Sequence, residues 1–106
     1  MPNFRIILGD FNILEPDHNP HYSFFEKWEY DFYRSLINNQ FKDAFRVISP
    51  NNKEYSWVGL TGDGYRYDHC FVSENIASTI GKCFYFHEPR DIRLSDHSDI
   101  ITQLNL

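Results

Sequence analysis

Cysteine is scarce in this chain: Cys70 and Cys83 are the only two in 106 residues, and their spacing is not that of a metal knuckle. They sit in apolar stretches and read as buried free thiols in a reducing compartment, which sets aside a disulfide framework. Long hydrophobic runs are missing too. No apolar segment approaches the roughly 18–20 residues a membrane span needs. The first residues carry no basic segment leading into an apolar one, so the expected location is cytoplasmic. Positive charge is in deficit, with 10 Lys and Arg against 15 Asp and Glu, net −5. Such a chain has no basic footprint with which to hold a polyanion unaided. A negatively charged substrate would need a bound cation or a partner surface to offset that field. The sequence has no Gly-rich phosphate loop before a helix, no Gly-x-Ser-x-Gly elbow, no His-Glu-x-x-His and no nucleophilic Cys–His signal. Repeats and low-complexity segments are absent as well.

Aromatic residues, by contrast, are plentiful: ten Phe, seven Tyr and two Trp in a chain that is 42% hydrophobic. That is enough apolar material for one folded domain of modest core. Phe4–Asp10 (FRIILGD) predicts a mostly buried strand, too short for a helix and stopped by glycine. Leu14–His21, with two prolines, predicts an irregular loop. Ser23 and Glu26 suggest a capping box opening a helix to about Asn38, with Phe25, Trp28, Phe32 and Leu36 as its buried stripe. Phe41–Ile48 reads as a short helical turn or extended connector. Strands are expected at Glu54–Val58, Tyr65–Ser73, Lys82–His87 and Asp99–Leu106, with a glycine-rich turn over Gly59–Gly64. The fold class is therefore α+β: one mixed sheet with a helix on one face.

Three polar clusters lie at or near predicted strand ends: Asp10 with Asn12, Asp68 with His69, and Asp96 with His97. Arg66 precedes the second, while Ser95 and Ser98 flank the third. Singly, each is an ordinary turn former or a solvated pair. Together they provide what phosphate-ester hydrolysis requires. Carboxylate oxygens suit a hard cation, a base can orient water, and donors can steady phosphoryl oxygens as charge builds.

ILGDFN, SWVGLTGDGYRYDHCFVS and LSDHSDI, in that order, resemble three successive motifs of the endonuclease/exonuclease/phosphatase (DNase I-like) superfamily. The stretches Ser56–Ser73 and YFHEPRDIRLSDH are most similar to bacterial members of unassigned substrate. The resemblance implies roles by position. Asp10 would orient or activate the attacking water, with Asn12 holding the phosphate beside it. His97 would contact the scissile phosphate, and Asp68 would pair with His97 and fix its tautomer. Asp96 and Asp10 would serve Mg²⁺ or Mn²⁺, with Arg66, Trp57 and His69 in support.

Two departures from the family pattern matter. Asp99 stands where the family commonly has proline. The resemblance, running from residue 4 to the C-terminus, covers only the C-terminal half of the family's four-layer α/β sandwich. The other half of the family domain carries an early Asn and the Glu that is the principal metal ligand. None of Glu15, Glu26, Glu29, Glu54, Glu74 and Glu88 has the sequence context to replace it. The expectation is an incomplete metal site and a sheet with one bare apolar face. That face would be covered by a complementing N-terminal half or by a second copy in a two-fold dimer. The reading is thus part of a metal-dependent phosphodiesterase or phosphomonoesterase of nuclease or phosphatase type, inactive or weakly active alone. The alternative is an inert, self-associating binding or structural module that retains the motifs. The substrate class (DNA, RNA, lipid, inositol phosphate or nucleotide) is left open.

Overall fold

The computed structural model describes residues 3–106. In chain order the elements are β1 (Ile6–Asp10), α1 (Lys27–Asn38), β2 (Phe41–Asp43), α2 (Ala44–Ile48), β3 (Trp57–Val58), β4 (Gly64–Tyr65), β5 (Asp68–Ser73), a 3₁₀ segment (Glu74–Thr79), β6 (Ile80–Phe86), α3 (Glu88–Asp91) and β7 (Asp99–Leu104). The α+β class is as expected. Within it, the single mixed sheet is replaced by three hydrogen-bonded sheets, ordered β1-β5-β2, β3-β4 and β6-β7, and every ladder among the described residues is antiparallel.

Everything is organised around β5, whose residues Asp68–Val72 are all buried. Successive side chains on a strand point to opposite faces, so β5 feeds two separate cores. Phe71 faces one of them, with Ile13, Tyr33 of α1 and Phe41; Ile7, Phe11 and Leu36 pack at its margin. Cys70 and Val72 face the other, with Ala44 and Phe45 of α2, Ile76, and Ile80, Cys83 and Tyr85 of β6. Both cysteines are free and buried here. Burial pushes the Cys83 thiol up to about 11. The face opposite α1 is therefore filled at β5. It stays open at β1, where Ile6 and Leu8, the partners of Val72 and Cys70, are exposed. The expected bare face is thus confined to the sheet edge, because α2 and the β6–β7 hairpin fold over its centre.

Helix α1 starts later than the sequence suggests. Glu26 precedes its first residue, and the Glu26 backbone N–H donates to Glu29 Oε2 at 2.6 Å. Residues 22–25 instead form an aromatic turn in which Tyr22 stacks on Tyr65, with ring centroids 4.4 Å apart. The expected buried stripe is also displaced. Trp28 and Phe32 are exposed, Phe25 and Leu36 are half-buried, and Tyr33 is the residue α1 buries. Among the described residues no helix is long and apolar enough to cross a membrane.

Beneath the sheet lies a buried charge network. The fully buried Arg66 guanidinium donates to Glu15 Oε2 at 2.9 Å, to Asp43 Oδ2 and to the Tyr85 hydroxyl at 3.2 Å. Tyr33 donates to Asp43 at 2.7 Å, and Arg46 closes on Glu15. Burial works to raise the Asp43 and Glu15 carboxyls, but their arginine partners more than offset it, so both lie below the usual range. His69, also fully buried, has its Nε2–H on the Ile13 carbonyl at 2.8 Å.

Burial, with Arg66 nearby, lowers the pKa of His69 to about 4. The sign follows directly. Between an unfolded value near 6.5 and the folded value, the unfolded chain binds more protons, so stability falls as pH drops through that window. A full shift of this size is worth about 3 kcal/mol. Urea unfolding of the chain and of His69→Phe at pH 7 and pH 4.5 is expected to show a smaller acid loss in the variant. Equal losses would contradict the assignment.

Candidate active site

The chain delivers its first polar pair by an abrupt stop. Gly9 takes φ +152°, a conformation that side-chain-bearing residues rarely adopt, and β1 ends at Asp10. The Asn12 backbone N–H then donates back to Asp10 Oδ1 at 2.9 Å. Asn12 itself is left-handed at φ 51°, which asparagine tolerates better than most residues. Phe11, between them, packs toward Phe71 and anchors the turn. Asp10 and Asn12 are thereby held exposed, with Asp10 Oδ2 free of that turn.

Asp68 stands directly across the ladder from Asp10. Its carboxylate takes a 2.7 Å hydrogen bond from His97 Nδ1, and the other ring nitrogen, Nε2, lies 3.6 Å from Asp10 Oδ2. Since a carboxylate only accepts, Nδ1 carries the proton in the neutral ring and Nε2 presents its lone pair toward Asp10. Asp10, Asp68 and His97 each offer a ligand atom within 4.8 Å of the others, and they are the group among the described residues able to gather on one ion.

The backbone beneath these side chains is pinned by Trp57 and Ser98, both noted in the sequence, and by Ser56 and Tyr85, to which the sequence assigns no role. Ser56, fully buried, accepts through Oγ from the N–H groups of Tyr67 and Asp68 at 3.0 and 3.1 Å. Its carbonyl accepts the Ser98 N–H at 2.7 Å, and Trp57 forms an antiparallel bridge with His97. From below, Tyr85 donates to the Asp68 carbonyl at 2.6 Å, so the buried Arg66 network ends on the Asp68 backbone. A lone serine before tryptophan carries no signal for such a role.

The other sequence-predicted residues are placed apart. Asp96 is exposed and lies outside the Asp10–Asp68–His97 group, on the rim of a groove shared with Trp57, Arg90 and Arg93. Its neighbour His97 is half-buried, and the His97 backbone N–H donates to Ser95 Oγ at 3.1 Å across the bend that holds Asp96. Arg66 and His69 lie within the protein interior, Arg66 bound to Glu15 and Asp43 and His69 to Ile13, away from the acidic group. Trp57 is half-buried beside Tyr65 and Tyr67.

No family model and no curated protein sequence matches the chain. Solved structures do. A 3'-5' exonuclease from Neisseria meningitidis superposes with a TM-score of 0.82 at 26% identity, over 95% of this chain and 45% of that one. An AP endonuclease from Leishmania major gives 0.78 at 26% identity, over 93% and 34%. For an AP endonuclease from Archaeoglobus fulgidus the values are 0.82 and 20%, over 98% and 46%. The chain belongs to the DNase I-like superfamily. It spans less than half the length of each of these relatives, as the resemblance to part of the family domain implies.

A DNase I-like site calls for a divalent cation, and the donor set can be tested against that need. Asp10 has one oxygen engaged by Asn12, and Asp68 has one engaged by His97. Mg²⁺ asks for near-octahedral oxygen ligation. These residues can begin such a shell and do not complete it. Glu15 and Glu54, two of the acids considered as replacements, are bound elsewhere, to Arg46 and Arg66 and to His87.

Proposed function

We propose that this chain is the C-terminal part of a metal-dependent phosphoester hydrolase of nuclease or phosphatase type, residues 1–106 forming that half of its domain. The observation that carries the reading is the Asp68–His97–Asp10 group, in which His97 is hydrogen-bonded to Asp68 at 2.7 Å and lies 3.6 Å from Asp10, set at the ends of paired strands. Asp10 orients the attacking water and takes its proton. Asn12 supplies a side-chain amide to a phosphoryl oxygen. His97 presents Nε2 to the reacting group, and Asp68 holds its tautomer by accepting from Nδ1. When bound, Mg²⁺ or Mn²⁺ would supply charge neutralisation at the phosphoryl oxygens. Asp10 would be its ligand here, with Asp96 joining only after movement of the exposed loop. The remaining ligands come from a complementing N-terminal half, so the isolated chain is expected to be inactive or weakly active.

Among the DNase I-like relatives are a nuclease acting from the 3' end, AP endonucleases and a 3' phosphatase bound to a product DNA hairpin. A phosphoester in DNA, acted on in the cytoplasm, is the substrate class this reading assigns to the completed enzyme. The exposed Ile6 and Leu8 are where the complementing segment would cover β1. A two-fold dimer would cover them alternatively, and light scattering separates a dimer from a monomer.

Asp68 and His97 make a paired test in the completed enzyme. His97→Ala is expected to lower kcat more than Asp68→Ala, because the second variant leaves the imidazole in place without its orienting partner. The reverse order would mean that Asp68 acts directly on the substrate.

A further inference from the structure

Behind His97 a second histidine is hydrogen-bonded through both ring nitrogens. His87, at the end of β6, places Nδ1 2.5 Å from Ser98 Oγ and Nε2 2.8 Å from Glu54 Oε2. The carboxylate can only accept, so in the neutral ring Nε2 carries the proton and Nδ1 accepts from the Ser98 hydroxyl. Ser98, next in sequence to His97, also donates its backbone N–H to the Ser56 carbonyl at 2.7 Å. Ser56 lies two residues from Glu54, so the contacts close a ring: Glu54 to His87, His87 to Ser98, Ser98 to Ser56, and back along the chain to Glu54. This ring joins the segment before β3, the end of β6 and the start of β7.

The connectivity is that of a nucleophilic Ser–His–Glu triad. Burial decides against that chemistry, because Ser98 is 2% exposed and no substrate atom can reach its Oγ. What the ring can do is fix the backbone that carries His97. Ser56 stands at its centre and also holds the Asp68 N–H, so one buried serine registers both partners of the Asp68–His97 pair.

We infer that His87, with Ser98 and Glu54, is a positioning residue that sets the orientation of His97 toward Asp68. The inference rests on the reading of His97 and Asp68 given above. Its test reads the imidazole directly, so it can fail or succeed without regard to turnover. The free-standing chain, ¹⁵N-labelled, would be compared with His87→Phe, His87→Gln and Ser98→Ala by long-range ¹H–¹⁵N correlation of the His97 ring.

In the parent chain Nδ1 of His97 is expected to show the protonated signature, and the Asp68 amide slow exchange. His87→Phe, which removes both hydrogen bonds, is expected to shift the His97 ring toward a tautomer mixture and to speed Asp68 amide exchange at least tenfold, with the Phe45 and Phe71 resonances retained. His87→Gln can donate to Glu54 and accept from Ser98, and should restore the parent signature. Ser98→Ala, which removes one link only, should reproduce the loss, and it decides the matter if His87→Phe does not fold. An unchanged His97 ring in Ser98→Ala, or in a folded His87→Phe, would overturn the inference. So would a failure of His87→Gln to restore the signature where His87→Phe loses it. Loss of turnover in Asp10→Ala with normal His97 tautomers bears on the hydrolase reading alone.

Discussion

Asp10→Ala is expected to lower kcat by about 10³-fold, within the range typical of a lost general base, in a completed enzyme made by joining this chain to the portion of the Neisseria exonuclease that it does not cover. The expectation comes from position. Asp10 has one oxygen fixed by the Asn12 N–H and the other 3.6 Å from His97 Nε2, so it is held without being consumed by a structural bond. Its side chain is exposed at the end of β1 and supports no core, so the fold should be retained. Circular dichroism and a thermal midpoint within a few degrees of the parent would establish that. A folded Asp10→Ala variant with unchanged kcat would remove Asp10 from the mechanism.

The largest expected effect on stability lies elsewhere, at Arg66. Replacing it with alanine leaves Asp43 and Glu15 buried without their shared cation and removes the donor behind Tyr85. Breaking a buried pair by removing one partner costs roughly 3–5 kcal/mol, against a total of about 5–15 kcal/mol for a domain. The variant should therefore unfold at much lower urea, with part of the population unfolded in buffer. A loss under about 1 kcal/mol, the scale of an exposed ion pair, would show that the network contributes little. The cost should grow as pH rises, because Asp43 is then ionised without a cation, while Glu15 keeps Arg46.

Some of this was legible in the sequence, and the limits have physical causes. An apolar run stopped by Gly-Asp marks a strand end, and β1 ends at Asp10 as FRIILGD implies. Leu14–His21 is an irregular loop without a strand or helix. The α1 stripe was misread because apolar residues occupy two adjacent faces of the helix. Trp28 and Phe32 lie along one of them, and Tyr33 with Leu36 along the other. Periodicity fits both, and only contact with Phe71 selects the second. β2 escaped notice because three residues, Phe-Lys-Asp, are too few for alternation to register, although they complete the sheet at Phe71–Ser73.

The site divides in the same way. Asp10, Asp68 and His97 could be named because their types fit one chemistry in one order. Asp96 shares a motif with His97, but it sits exposed in a bend and lies outside the group the structure assembles. Arg66 and His69 look like site residues in a string of letters. Burial assigns them to the interior, since alternation along β5 turns His69 away from Asp68. Ser56 and His87 fall inside stretches that carry the resemblance but are assigned no role there, because their importance rests on contacts between segments distant in sequence.

The most direct test of a hydrolase site completed by a second half is phosphate release from a 3'-phosphorylated DNA oligonucleotide in Mg²⁺. It would be measured for the isolated chain, for the joined enzyme and for the joined enzyme carrying Asp10→Ala. The expected result is little or no release by the isolated chain, clear turnover by the joined enzyme, and its loss with Asp10→Ala. Turnover by the isolated chain as fast as by the joined enzyme, or a folded joined enzyme with none, would contradict the account.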